Sequence, residues 1–271
     1  MAGCRSGPND MAEAARRIDV LDTGPRFAAA DAAALNARFA GTPTRDVLAA
    51  ILEEELAGRI AAVSSFGAES AVLLHLIASV DRSVPVLFLE TGKHFPETLA
   101  YRDELTRRLG LTNLINLTPD PVLLAAKDQN GLRWSYDPDG CCDIRKVQPL
   151  AMALAGFDAS FTGRKGFQSA TRAGLPWFEI DASDAAGRLK VNPLADWSSA
   201  QIADYFAATG LPQHPLVAQG YPSIGCSPCT SKVTPGDDAR SGRWVGWDKT
   251  ECGIHGEVAP VELPPGFDPA F

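Results

Sequence analysis

Short apolar runs alternate with longer helical stretches through most of this chain. "RIAAVSS" (59–65) and "VPVLFLE" (84–90) are continuous apolar runs of strand length. Between them "AESAVLLHLIAS" reads as an apolar helix packed on a sheet. "PETLAYRDELTRRLG" has the period of an amphipathic helix closed by Gly110, and "SSAQIADYFAATG" that of a late helix that again ends in glycine. Upstream, "DAAALNARF" and "TPTRDVLAAILEEEL" predict two helices, the second with Thr42 or Thr44 as N-cap and Pro43 near its first turn. "LTNLINLTP" predicts a third strand, "FDASFTG" a fourth, and "PWFEI" or "RLKVNPL" one more. After residue 211 the regular pattern fades into a turn-rich segment.

Strands separated by helices predict an α/β fold: a mostly parallel sheet covered by helices on both faces. Ligands then bind beyond the carboxyl ends of the strands, so the strand-end loops are the first place to look. The boundaries expected are a flexible N-terminus (1–25), an α/β domain (26–232) and a mobile C-terminal segment (233–271).

Composition narrows the function. The chain has 271 residues, 45% apolar and 21% charged, ordinary for a globular protein. The longest apolar run is interrupted by His75, so no membrane span is expected. The N-terminal residues lack the apolar core of a secretory signal, so the cytoplasm is the expected location. A net charge of −8 counts against a general nucleic-acid surface but leaves room for a local basic pocket. Six cysteines in such a chain point to metal or redox chemistry before disulfides.

Three strand-end loops carry candidate chemistry. "SSFGAES" (64–70) offers Ser64, Ser65, Gly67 and Ser70 at the start of a helix, an arrangement that presents hydroxyls and backbone N–H groups to an anion. "LETGKHFPET" (89–98) places Glu90, Thr91 and Gly92 beside Lys93 and His94. "TGRKGFQSATR" (162–172) combines Gly163, Arg164 and Arg172 with further polar groups that suit a phosphate or sulfate. Each also has a plainer reading, as a small-residue turn, a helix cap or a solvated basic loop. Together they fit one nucleotide-binding crevice.

Cys141 and Cys142, adjacent in "DGCCDIRKVQPL", pair with Cys226 and Cys229 of "GCSPC" as four thiols suited to zinc or to an iron–sulfur cluster. A vicinal pair strains a single-ion site, whereas a cluster presents separated corners. A redox CxxC is a third option that would leave the vicinal pair unexplained. Cys252 stands apart in "KTECGIHGEV", with His255 three residues on and Lys249, Arg243 and Arg240 upstream. Cations converging on it would favour a thiolate nucleophile.

Taken in order, "SSFGAESAVLLHL", "ETGKHFPET", "CCDIRKVQPL", "TGRKGFQSATR", "GCSPCT", "RSGRW" and "ECGIHG" resemble the assimilatory sulfonucleotide reductases, over about residues 45–256. The paired thiols resemble their iron–sulfur branch, the adenosine 5′-phosphosulfate (APS) reductases. The resemblance implies an adenine-nucleotide α-hydrolase-like fold in which "SSFGAES" is the phosphate-side PP-loop. It implies a [4Fe–4S] cluster on Cys141, Cys142, Cys226 and Cys229, with Lys146 near both the cluster and the substrate's sulfate. Arg172, Arg240 and Arg243 would neutralise the phosphosulfate, and Cys252 would attack its sulfur to leave an S-sulfocysteine that thioredoxin reduces to sulfite. A homo-oligomer is compatible with the family.

The sequence departs from the family pattern in three places. Phe66 and Ser70 stand where Ser and Asp are usual, and Glu90 where Asp is. "SSFGA" is closer to the loop of clusterless enzymes acting on 3′-phosphoadenosine 5′-phosphosulfate (PAPS), a branch that lacks the four cysteines. The same chemistry on PAPS, a PP-loop tRNA-thiolating enzyme and a zinc-stapled nucleotide sensor are the alternatives.

Overall fold

The computed structural model describes residues 26–168, 172–184 and 186–254. The N-terminal segment 1–25, Cys4 and His255 lie outside the described residues. Among the described residues six strands form one sheet: β1 (Ile60–Ser64), β2 (Val86–Leu89), β3 (Leu114–Leu117), β4 (Ala159–Phe161), β5 (Phe178–Ile180) and β6 (Leu189–Val191). Their order is β3-β2-β1-β4-β6-β5. All neighbours run parallel except β5, which is antiparallel to β6. The choice between "PWFEI" and "RLKVNPL" therefore resolves to both, paired through Phe178 opposite Val191 and Ile180 opposite Leu189.

The helices are α1 (Ala29–Arg38), α2 (Thr44–Glu53), α3 (Ser70–Ala78), α4 (Pro96–Leu109), α5 (Pro121–Lys127), α6 (Pro138–Cys142), α7 (Gln148–Leu154) and α8 (Ser199–Thr209). Gly110 (φ 65°) and Gly210 (φ 61°) close α4 and α8 in the left-handed conformation that glycine adopts without penalty. Neither threonine caps α2. Pro43 holds the cap position with no side-chain bond, and the Thr44 hydroxyl instead accepts the Trp197 indole N–H at 2.9 Å. Helix α5 has no counterpart among the predicted elements; Asp120 caps it, accepting from Val122 N at 2.6 Å.

Alternate residues of the strands face opposite sides of the sheet, and each side has its own core. Ala62, Val86, Phe88 and Phe161 pack with α3, whose residues Ala71–Ala78 are buried except His75. That explains why α3 is apolar on nearly every side. His75 escapes burial by pairing with the Tyr205 hydroxyl on α8, at 2.8 Å. Ala61, Leu87 and Leu89 face the other way, against Leu150 and Leu154 of α7, with Ile254 packed on the same cluster.

The chain runs from β1 outward through β2 and β3, then crosses back to place β4 on the other side of β1. The loops leaving β1 and β4 therefore diverge, and the crevice between them is the topological switch point of the sheet.

His214 fastens the 211–216 segment to α4. Its Nδ1 accepts the Leu216 N–H at 3.2 Å, so Nε2–H donates to Thr98 Oγ1 at 3.0 Å. Buried at 1% exposure, the ring is kept neutral and its pKa falls to about 4. The unfolded chain then binds a proton near pH 6.5 that the folded state refuses until about pH 4. Stability from His214 is complete above pH 6.5 and should fall by about 3 kcal/mol as pH drops to 4. Urea unfolding of wild type and His214→Gln across this range should show a shallower acid loss in the variant; parallel curves would contradict it.

Candidate functional site

A cavity of about 360 Å³, within the range of small-molecule sites, opens at the switch point. Its wall includes Ser64, Ser65, Gly67 and Ser70 after β1, Thr91 and His94 after β2, and Gly163, Arg164 and Arg172 after β4. Lys146, Cys226, Arg240, Arg243 and Cys252 complete it from the helix and tail. Leu73, Leu89 and Phe167 add an apolar side suited to a flat ring. Glu90 and Gly92, expected on this wall, do not line it. Glu90 accepts the Gly92 N–H at 3.0 Å and faces Arg102 at 3.6 Å, shaping the loop from behind.

The loop after β1 is wound tightly. Phe66 sits at φ 48°, a conformation that costs a bulky residue about 1–3 kcal/mol, and its ring is fully buried edge-on to Phe88. The Ser64 hydroxyl accepts the Phe66 N–H at 3.2 Å. Among the described residues, the N–H groups of Gly67, Ala68 and Glu69 have no acceptor, which suits them to an incoming anion. Phe66, an apolar residue in a polar loop, is thus the anchor that turns the loop's backbone.

In the next loop the two polar side chains divide. Lys93 turns away, donating to Gly131 O at 2.5 Å while its own carbonyl accepts the Ser227 N–H at 2.8 Å. His94 lines the cavity and bonds Leu89 O through Nε2 at 2.7 Å. Burial lowers its pKa, and Lys146 and Arg102 push the same way.

The vicinal cysteines end α6, and a π-helical turn (Asp143–Val147) joins it to α7. Pro149 accounts for that turn: it has no N–H for the Arg145 carbonyl and crowds it, so Gln148 N–H reaches back to Asp143 instead. The widened turn sends Arg145 and Lys146 in different directions. Arg145, buried, donates to Asp128 at 2.5 Å and to Thr91 O at 2.7 Å. Lys146 enters the cavity, within electrostatic reach of the Cys226 thiol.

Cys141, Cys142 and Cys226 are buried and Cys229 half-buried, and each lies within electrostatic reach of at least two of the others. Burial raises the thiol pKa of Cys141, Cys142 (to about 11) and Cys229. For Cys226 burial pushes the same way, but Lys146, the Thr91 hydroxyl at 3.3 Å and Arg243 outweigh it and hold the thiol below its usual value. Among the described residues no three His, Cys, Asp or Glu side chains meet as ligands of one ion would. Four thiols within electrostatic reach of one another form an all-sulfur donor set, the chemistry that suits a soft metal or an iron–sulfur cluster.

Most cations on the wall are already paired. Arg164 bonds Glu179, Lys165 meets Glu69 at 2.9 Å, and Glu251 bridges Arg172 (2.8 Å) and Arg240 (3.3 Å). Burial, aided by Arg172, lowers the Arg164 pKa to about 10. Lys146 and Arg243 have no carboxylate partner among the described residues, and both lie within electrostatic reach of Cys252. The segment carrying Cys252 is docked: Lys249 pairs with Asp139 of α6, and Arg240 also donates to Thr250 O at 2.6 Å. Arg240, Arg243 and Lys249 surround the buried Trp244 ring, with Arg243 nearest at 4.5 Å.

Gln168, expected with its loop, lines the cavity, as do Glu69, Glu251 and Trp244, which were not anticipated as site residues. The two acids had no readable signal, because a carboxylate beside an expected anion site looks out of place until its arginine or lysine partner is seen. Trp244 lay inside the recognised "RSGRW" motif.

Residues 59–232 match the family model described as phosphoadenosine phosphosulfate reductase domain. The chain is 50% identical over 248 residues to a Mesorhizobium japonicum protein named adenosine 5′-phosphosulfate reductase, covering 92% of this chain and 96% of that one. A protein of the same name from a Chelativorans species is 54% identical over 198 residues, 73% and 79% of the two chains. Among solved structures, phosphoadenylyl-sulfate reductase from Candida auris superposes with a TM-score of 0.62 at 24% identity, over 76% of this chain and 98% of that one. At that identity the likeness speaks for the fold.

Gly225 gives a test of the cavity that leaves every thiol in place. A Cβ there would collide with the Arg243 guanidinium. Gly225→Ala should displace Arg243 and raise the KM of the substrate by about tenfold or more, with little change in thermal stability. An unchanged KM would show that Arg243 has no part in binding.

Proposed function

The chain belongs to the phosphoadenosine phosphosulfate reductase family, and from that membership we propose that it reduces adenosine 5′-phosphosulfate to sulfite and AMP in sulfate assimilation. One observation carries the reading: the Cys252 thiol shares a cavity with a phosphate-type loop and with Lys146 and Arg243, two cations without a carboxylate partner among the described residues.

The N–H groups and serine hydroxyls of residues 64–70 receive the nucleotide phosphate, and Arg164, Arg172 and Arg240 balance its charge. Lys146 and Arg243 face the sulfate and lower the repulsion that a thiolate would meet on approach. The Cys252 thiolate attacks the sulfur; an S–S bond forms, the S–O bond breaks, and AMP leaves with the electron pair. A dithiol protein, thioredoxin by family resemblance, then attacks Sγ of Cys252. Sulfite departs and the dithiol becomes a disulfide. That second step requires the stretch carrying Cys252 to swing outward, for which Gly246 (φ 87°) and Gly253 (φ 86°) supply backbone freedom. His255 follows the nucleophile in the same motif. The cytoplasm is the compartment this chemistry suits.

Cys141, Cys142, Cys226 and Cys229 would hold a [4Fe–4S] cluster. When bound, it supplies a fixed charge that keeps Lys146 protonated and oriented. The chain's own groups prepare its setting: the Thr91 hydroxyl and Lys146 meet Cys226, and Arg145 fixes the helix that carries the vicinal pair.

Cys252→Ser should keep the iron, sulfide and brown colour of wild type but lose turnover by at least about 10³-fold. Cys226→Ala should lose iron and colour. A turnover-competent Cys252→Ser protein would overturn the proposed nucleophile, and a colourless, zinc-containing wild type would overturn the cluster.

A further inference from the structure

Glu251 stands where an anion is expected. Its carboxylate bonds Arg172 Nη2 at 2.8 Å through one oxygen and Arg240 Nη2 at 3.3 Å through the other. Arg172 is also held through its other terminal nitrogen, Nη1, by Gln168 at 2.6 Å, and Arg240 donates from the same Nη2 to Thr250 O at 2.6 Å. The two guanidiniums are thus preset as a pair around a two-oxygen acceptor. All three side chains line the cavity, and the acceptor is the residue immediately before Cys252.

We propose that Glu251 is an internal counter-anion, occupying Arg172 and Arg240 until the phosphate-sulfate group of the nucleotide displaces it. The proposal rests on the reading of the cavity as a phosphosulfate site and adds a competing ligand contributed by the chain itself. A carboxylate and a phosphate oxygen pair cannot both hold the same guanidinium faces. Binding therefore exchanges one ion pair for another, and releases the residue next to the nucleophile as the sulfate arrives. On departure of AMP the carboxylate returns, which disfavours rebinding of product. Glu251 is in these terms a positioning residue: it acts through the two arginines and through its neighbour, not on the reacting sulfur.

The sign of the effect separates this from a structural role. Removing a structural ion pair weakens ligand binding or leaves it alone; removing a competitor tightens it. Glu251→Gln, in the cluster-loaded full chain, should bind AMP about two- to fivefold more tightly than wild type by calorimetry, the range expected for a partly exposed pair. The KM for APS should fall without a matching rise in kcat, and Glu251→Asp should return both towards wild type. In an Arg172→Ala background the gain should shrink, because one half of the competed pair is gone. Equal or weaker binding by Glu251→Gln would overturn the proposal alone, as would an undiminished gain without Arg172. Wild-type protein that binds neither AMP nor APS would overturn the cavity reading itself, and this proposal with it.

Discussion

The buried guanidinium of Arg145 is the point on which the site depends. It joins Asp128, at the exit of α5, to the carbonyl of Thr91 in the loop after β2, while its own backbone belongs to the π-helical turn behind the vicinal cysteines. Loss of Asp128 would leave a buried charge uncompensated, a change that typically costs about 3–5 kcal/mol. Through this one group the helix of Cys141 and Cys142 is tied to the carboxyl end of β2, where the Thr91 hydroxyl meets Cys226. Lys146, the next residue, is thereby aimed into the cavity. The two adjacent cations divide, Arg145 to the interior and Lys146 to the cavity, at the π-helical turn that Pro149 forces.

Charge distribution then selects the chemistry. An acidic chain has gathered lysines and arginines at one crevice and neutralised most of them with its own carboxylates. Glu69, Glu179 and Glu251 each hold one or two cations in place without abolishing the positive field. Lys146 and Arg243, beside the Cys252 thiol, remain without such a partner among the described residues. Preorganised cations in a partly dry cavity stabilise a charged transition state more than the same cations in water would. On the proposed reading, the paired groups position and the remaining two act.

Much of this was legible in the sequence because it rests on local rules. Apolar runs and glycine stops located the strands and the ends of α4 and α8, and the alternation of strand with helix implied where a ligand would sit. The loops at 64–70 and 162–172 were readable from residue type, and the thiols from their spacing. What escaped depends on contacts distant along the chain. The role of Phe66 requires Phe88, and that of Glu251 requires Arg172, 79 residues away. Glu90 looked like a ligand contact because it lies at a strand end, but Arg102 and the Gly92 N–H claim its carboxylate. Helix α5 is seven residues long, below the length at which periodicity can be read.

The central claim is that Cys252 takes the sulfonate from a nucleotide bound in this cavity. It is tested most directly by incubating cluster-loaded protein, without reductant, with APS and separately with PAPS, then mapping any added SO₃ by peptide mass. The account predicts one adduct, on Cys252, formed with APS and little with PAPS. No adduct with either nucleotide, or an adduct on another cysteine, would contradict it.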